Sequence, residues 1–187
     1  LEWARYHKKK PIVIYASTNK VYGDIQVNEP VSEDTPLNFH TPYGCSKGAA
    51  DQYVLDYSRV FDVPGVVFRQ SCIYGPYQQG MEEQGWVAWF LIANHTRQPI
   101  TIYGDGTQIR DCLYVDDLLD AYDLAIKNID LVKGEAFNIG GGEQNTLSLN
   151  ELIKKQKIDV PIKYADWRKA DQKYYVSDID KAQGLLN

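Results

Sequence analysis

The stretch IVIYASTNKVYGD (residues 12–24) and the segment TPYGCSKGAADQYVLDYSRVF (residues 41–61), joined by a turn-rich connection, decide the fold. The first opens as a near-continuous apolar run, the pattern of a strand buried on both faces of a parallel sheet. A hydroxyl residue, Thr18, ends that run. The second begins Thr41-Pro42, an N-cap residue followed by proline at the first helical position, so a helix starts there. Tyr43 and Lys47 stand four residues apart within it, and residues at i and i+4 share one face of a helix. A free phenol has a pKa of about 10 and is a poor base near neutrality. A fixed ammonium beside it favours the phenolate and brings it nearer working pH. Thr18, at the carboxyl end of its strand, is placed to hydrogen-bond the same substrate hydroxyl that Tyr43 deprotonates. Tyr43, Ala50, Val54, Tyr57 and Phe61 recur at helical spacing, and Lys47 interrupts that stripe where packing alone asks for no charge.

Outward from this pair, residues 1–9 read as the last turns of a helix and PGVVFRQS (64–71) as a second buried strand. Strand, helix and strand with a crossover of this length imply parallel pairing and a right-handed unit. Residues 19–41 form a connection long enough to be functional. CIYGPYQQGMEEQG (72–85) is another long loop, feeding the helix WVAWFLIANHTR (86–97). PITIYGDGTQIRDCLYV (99–115) reads as two short strands around a Gly-Asp-Gly turn. Asp116 is expected to cap the helix 117–129, with Asp117 and Asp120 at the positive end of its dipole. A strand at 135–142 ending in a glycine loop, a helix at 147–156, a strand at 160–168 and a last helix at 178–186 complete the reading.

At 187 residues the chain has the size of one substantial core. A formal net charge of −5 argues against a nucleic-acid partner, which calls for a basic patch. No apolar run approaches the ~20 residues of a membrane span. Three widely spaced cysteines without a CxxC pair suit reduced thiols in the cytoplasm. The three histidines form no ligand pair, so no metal is expected.

The order strand, Thr18, VYG (21–23), YxxxK on a helix, then FRQSCIYGP (68–76), GDGTQIRD (104–111) and YVDD (114–117) resembles the short-chain dehydrogenase/reductase superfamily. Within it the resemblance is to the extended branch of nucleotide-sugar epimerases and dehydratases. It implies an α/β fold: the later part of a Rossmann-type parallel sheet (1–75), then a nucleotide-sugar-binding region with returning Rossmann elements (76–187). It implies NAD as cofactor, Tyr43 as acid/base, Lys47 as the residue that holds the nicotinamide ribose, and Thr18 as the one that orients the substrate oxygen. Ala16, Ser17 and Gln70 are implied beside the cofactor with Tyr43 and Lys47. Cys72 occupies the position of the family's usual Asn, which weakens a substrate hydrogen bond there. Arg110 and Arg168 match arginines that clamp the nucleotide diphosphate, a task suited to bidentate guanidiniums, with Asp171 beside them. The competing reading makes these arginines surface ion-pair partners, with Asp111 or Asp166 as the carboxylate. Tyr103 is a candidate to pack on the base. Gln84, Gly85, Trp86 and Val87 would present a helix N-terminus to the diphosphate, although Trp86 and Trp89 suit a core equally well.

The clustered glycines Gly140, Gly141 and Gly142 lack the GxGxxG spacing that holds a dinucleotide phosphate after a first strand. In the family that half precedes the strand read at residues 11–17, so this chain alone is expected to be inactive, and the complete protein to form a homo-oligomer. The sugar dehydratases of the family carry Asp and Glu directly after the Thr; here those positions are Asn19 and Lys20. An amide and an ammonium cannot drive loss of water, so the resemblance implies epimerisation by transient oxidation. The wording is nearest to epimerases acting at C2 of a CDP-linked sugar. The alternatives are C4 of a UDP-sugar or, in another class, a non-catalytic nucleotide-binding or interaction protein on the same fold.

Overall fold

The computed structural model describes residues 1–25 and 28–186. Gln26 and Val27, inside the connection read at residues 19–41, lie outside the described residues, as does Asn187. The first half runs α1 (Glu2–Tyr6), β1 (Val13–Thr18), a 3-10 turn (Asn19–Tyr22), α2 (Pro42–Phe61), β2 (Gly65–Gln70), β3 (Cys72–Tyr74), α3 (Trp86–Thr96) and β4 (Ile100–Tyr103). There follow β5 (Ile109–Tyr114), α4 (Val115–Lys127), α5 (Ile129–Val132), β6 (Ala136–Ile139), a second 3-10 turn (Glu143–Asn145), β7 (Thr146–Ser148), α6 (Leu149–Lys155), β8 (Ile162–Ala165), β9 (Tyr174–Tyr175) and α7 (Asp180–Leu186).

The first sheet is parallel, in the order β1-β2-β6. Thr18 lies opposite Gln70, and Gln70 opposite Ile139, so the three carboxyl ends are level. Residues alternate faces along a strand, and both faces of β2 are covered. Val66 and Phe68 pack toward Leu118, Ala125, Val132 and Leu186 of α4, α5 and α7. Val67 turns the other way, into a cluster with Val54 of α2. That two-sided cover accounts for an unbroken apolar run in β2. β1 is only half-buried because no strand among the described residues pairs with its outer edge.

The second region is built on β5, which runs parallel to β3 and β9 and antiparallel to β7. β4 and β8 form a separate parallel pair, and α3 and α6 close a cluster of Val87, Phe90, Ile100, Ile102, Leu149 and Leu152 over it. Three expectations need correction here. Residues 72–74, read as loop, are a strand because they pair with β5. Asp116 does not cap α4: the N-cap position is Tyr114, with no side-chain cap bond, and the aspartate lies inside the first turn. The buried stripe of α2 is Gly44, Gly48, Asp51, Val54 and Ser58. The aromatic stripe expected there lies mostly outside it, because α2 docks on β1 through small residues.

Candidate active site and nucleotide cleft

Thr18 ends β1 and is 6% exposed. Its hydroxyl accepts from the Lys20 amide (3.3 Å) and donates to Asn19 Oδ1 (3.3 Å), which starts the 3-10 turn and holds the hydroxyl at the strand's carboxyl end. Tyr43 and Lys47 lie on the first two turns of α2, behind the Thr41 cap that accepts from the Gly44 amide (2.9 Å). Tyr43 is 53% exposed, and its hydroxyl makes no hydrogen bond among the described residues. The Lys47 ammonium donates to the Ala16 carbonyl and sits 4.7 Å from the Tyr15 ring centroid. Burial, then Asp51, then Tyr43 raise the pKa of the Tyr15 phenol. Lys47 thus bonds exposed Ala16 on β1, with the exposed Tyr43 one helical turn before it on α2.

Two features fix α2 in that register. Gly48 rides against Phe39, where an added Cβ would come within 2.2 Å of a ring carbon. One turn after Lys47, Asp51 forms a fully buried bidentate pair with Arg69 of β2 (3.0 and 3.1 Å). Ser17 of β1 donates to the same carboxylate (2.8 Å). The chain of bonds continues from Arg69 to the Tyr22 hydroxyl (3.1 Å) and from there to Asn138 of β6 (2.7 Å). Burial opposes the charge on Arg69, but the bonds to Asp51 and Tyr22 outweigh it and hold its pKa above the usual range. Burial likewise pushes the Tyr22 phenol up to about 12. With its hydroxyl hydrogen given to Asp51, the Ser17 side chain has no donor left for a cofactor. The Gln70 amide donates to the Tyr122 hydroxyl.

Beyond these residues opens a cleft of about 360 Å³. Its lining includes Gln84, Gly85, Trp86, Tyr103, Arg110, Arg168 and Asp171, all singled out in the sequence, together with Lys20 and Thr41, while Tyr43 and Lys47 lie outside it. Val87 lies beneath it in the core, and neither Thr18 nor Cys72 lines it. Of the two tryptophans, Trp86 faces the cleft while Trp89 only packs on the core cluster. Gly85 precedes α3 with φ +75, a left-handed conformation that favours glycine, and no side chain caps the amides it exposes. Arg110, 11% exposed, donates to Asp171 Oδ1 (3.1 Å) and to the Gln172 carbonyl. Lys20 approaches the same Oδ1 at 3.5 Å. Burial lowers the pKa of both cations; Arg110 lowers Lys20 further, and Asp171 opposes both shifts.

The expected arginine partners are corrected. Asp111 is buried and accepts from Ser71, Gly142 and Ser177, tying the glycine loop to β5, so Asp171 pairs with Arg110 instead. Arg168 lies 4.0 Å over the Tyr103 ring and donates to the Glu82 carbonyl (3.0 Å), not to Asp166. The Tyr103 face so covered is not free for a base. Gly140 abuts the Asp111 carboxylate and Gly141 the Cys112 carbonyl, so these glycines serve close packing. Cys72 sits opposite Cys112 on β5. A hydrogen bond with Cys72, then burial, push the Cys112 thiol well above its ordinary range. Glu82, Gln108 and the Asp51–Arg69 pair are site features that motif reading passed over, and Lys20 was read only for the carboxyl it replaces, not as part of the cleft. Only the charge of Asp51 inside a helix facing a sheet hinted at any of them.

The fold and the two adjoining sites define a nucleotide-cofactor enzyme fold, and residues 1–140 match the NAD dependent epimerase/dehydratase family, to which this chain belongs. It is 43% identical to the CDP-paratose 2-epimerase of Salmonella typhi across 100% of this chain and 62% of that protein. It is 32% identical to the UDP-glucuronate 4-epimerase of Thermodesulfobacterium geofontis over 94% of this chain and 53% of that one. Among solved structures, UDP-glucose 4-epimerase from Thermotoga maritima, crystallised with UDP-glucose, superposes with a TM-score of 0.85 at 29% identity, over 99% of this chain and 59% of that chain. The chain therefore spans about three fifths of the length of such relatives.

Proposed function

We propose that the protein is a nucleotide-sugar epimerase acting at a carbinol carbon, with a CDP-linked dideoxy sugar of the paratose–tyvelose type as substrate and surface polysaccharide synthesis as its setting. The observation that carries this reading is the exposed Tyr43 phenol one helical turn before Lys47, which bonds the Ala16 carbonyl near the carboxyl end of β1, with a cleft of Lys20, Arg110 and Arg168 bordered by Thr41, two residues before Tyr43. The likeness to CDP-paratose 2-epimerase over the whole chain favours CDP and C2 over UDP and C4.

Residues 1–75 carry the cofactor side and residues 76–187 mainly the nucleotide-sugar side. The nicotinamide half of NAD fits the shelf of Ala16, Tyr43 and Lys47, with Gln70 at the end of the next strand. Bound there, NAD would supply a reversible hydride acceptor. Tyr43 takes the proton from the sugar hydroxyl and later returns it, and Lys47 holds the nicotinamide ribose. Thr18 holds the substrate oxygen in line, with its own hydroxyl already oriented by Asn19 and Lys20. In the cleft, Arg110, Arg168 and the exposed amides after Gly85 hold the diphosphate, beside Gln84, Trp86, Tyr103 and Asp171. Val87 and Cys72 shape the floor from behind. No carboxylate follows Thr18, so nothing there drives elimination of water.

No helix among the described residues is long and apolar enough to cross a membrane, and three free thiols suit a cytoplasmic enzyme. Exposed Tyr53 and Val60 on α2 offer a face for self-association. The test is titration calorimetry on the full-length protein with Arg110→Ala and Arg168→Ala. A charge-assisted phosphate contact is worth roughly 1.5–3 kcal/mol, so each variant should bind CDP-sugar about ten- to a hundredfold more weakly, with NAD affinity kept. Unchanged affinity in both would remove both arginines and the cleft from the reading.

A further inference from the structure

One wall of the cleft consists of hydrogen-bond acceptors. Glu82 turns its carboxylate to β4, where Oε1 accepts from the Tyr103 phenol (2.6 Å) and Oε2 from the Thr101 hydroxyl (3.4 Å). Thr101 and Tyr103 face the cleft because residues alternate along β4, with Ile100 and Ile102 turned into the core. An ionised carboxylate offers about four lone-pair sites, so these two donors orient it and leave acceptor capacity toward the cavity. Gln108, 5% exposed, lines the same cleft. Its Nε2 donates to the Tyr103 carbonyl (3.0 Å), an acceptor only, which fixes which way the amide points. Its Oε1 is left buried without a partner. Such an orphan costs free energy unless a ligand or water supplies the donor.

We propose that Glu82, with Gln108 behind it, selects the base of the nucleotide, accepting from the exocyclic amino group of a cytosine and disfavouring uracil or thymine. Cytosine presents an N–H donor at the ring carbon where uracil and thymine present a carbonyl oxygen. A carboxylate facing that oxygen pairs acceptor with acceptor and leaves both unsatisfied. The diphosphate belongs where Lys20, Arg110 and Arg168 supply positive charge, since a phosphate set against the Glu82 carboxylate itself would meet like charge. Arg168 joins the two by covering Tyr103 while donating to the Glu82 backbone. The inference rests on the nucleotide-sugar reading above and adds to it which side chain reads the base.

Titration calorimetry of the full-length, NAD-loaded protein with CDP, UDP and dTDP separates the two claims. Wild type should bind CDP about ten- to a hundredfold more tightly than UDP or dTDP, the range of one charge-assisted hydrogen bond gained or left unmade. Glu82→Gln should lose most of that difference, weakening CDP while leaving UDP unchanged or tighter. Tyr103→Phe, which frees the carboxylate without removing it, should lose part. Equal affinity for CDP and UDP in wild type would overturn base selection and leave the nucleotide site standing. An equal loss for all three nucleotides in Glu82→Gln would assign the carboxylate to the ribose hydroxyls and overturn it as well. Failure of every nucleotide to bind would overturn this inference and the proposed function together.

Discussion

Asp51 of α2 and Arg69 of β2 form a bidentate ion pair with no more than 4% of either side chain exposed, one helical turn beyond Lys47. Because Ser17 donates to the same carboxylate, the pair ties α2, the helix of Tyr43 and Lys47, to both β1 and β2. Leaving one member of a buried pair uncompensated costs about 3–5 kcal/mol. Arg69→Met is therefore expected to lower stability by about that amount, read as a fall in the denaturant midpoint at unchanged slope. The double variant Asp51→Leu/Arg69→Met should recover much of the loss. A single Arg69 variant as stable as wild type would show that the pair does not hold α2.

Tyr43→Phe keeps the ring and removes the oxygen that moves the proton. Since that hydroxyl has no hydrogen bond among the described residues, its removal should leave stability unchanged within about 0.5 kcal/mol, as at ordinary surface positions. Turnover in the full-length protein should vanish while affinity for the nucleotide sugar is retained. Activity within about tenfold of wild type, where general acid–base catalysis contributes roughly a hundredfold or more, would remove Tyr43 from the acid/base role.

Asp62 ends α2 and receives hydrogen bonds from Lys10 and Lys133, each at 2.9 Å, which lower its pKa from 3.8 to about 2. A carboxylate with a depressed folded pKa contributes stability that is fully present above its unfolded pKa and is lost as pH falls through the folded one. The contribution should thus fade between about pH 4 and pH 2, following those two values. The group is exposed, so the effect is small and weakens with salt. Asn tolerates the left-handed conformation that Asp62 adopts (φ +53). Asp62→Asn should therefore flatten the acid limb of the stability curve in that window without unfolding the protein at neutrality. An acid limb identical to wild type would mean that neither lysine pairs with it in solution.

Much of the fold was legible because periodicity and punctuation agreed. β1, α2 and β2 carry a buried run, a Thr-Pro start and a second buried run, and a crossover of that length leaves little choice of pairing. The cleft was legible in its parts, since Arg110, Arg168 and the start of α3 stand in recognisable motifs and do line one cavity. What escaped depends on partners distant in the chain. Residues 72–74 become a strand only because β5, some forty residues later, lies beside them. The choice of Asp171 over Asp111 by Arg110 is made by the fold, which buries Asp111 under the glycine loop. Glycines at 44 and 48 carry no hydrophobic signal, so the docking face of α2 was invisible to a count of apolar residues.

In the proposed reaction the full-length protein inverts a carbinol centre by removing and returning the same carbon-bound hydrogen, with Asn19 and Lys20 in place of the carboxyls that would expel water. Running the reaction on a CDP-linked sugar in deuterated water and taking the mass and proton spectra of the product tests it most directly. The account predicts an epimer that keeps its oxygen count and carries no deuterium on the inverted carbon. Solvent deuterium at that carbon, or a product that has lost water, would contradict it.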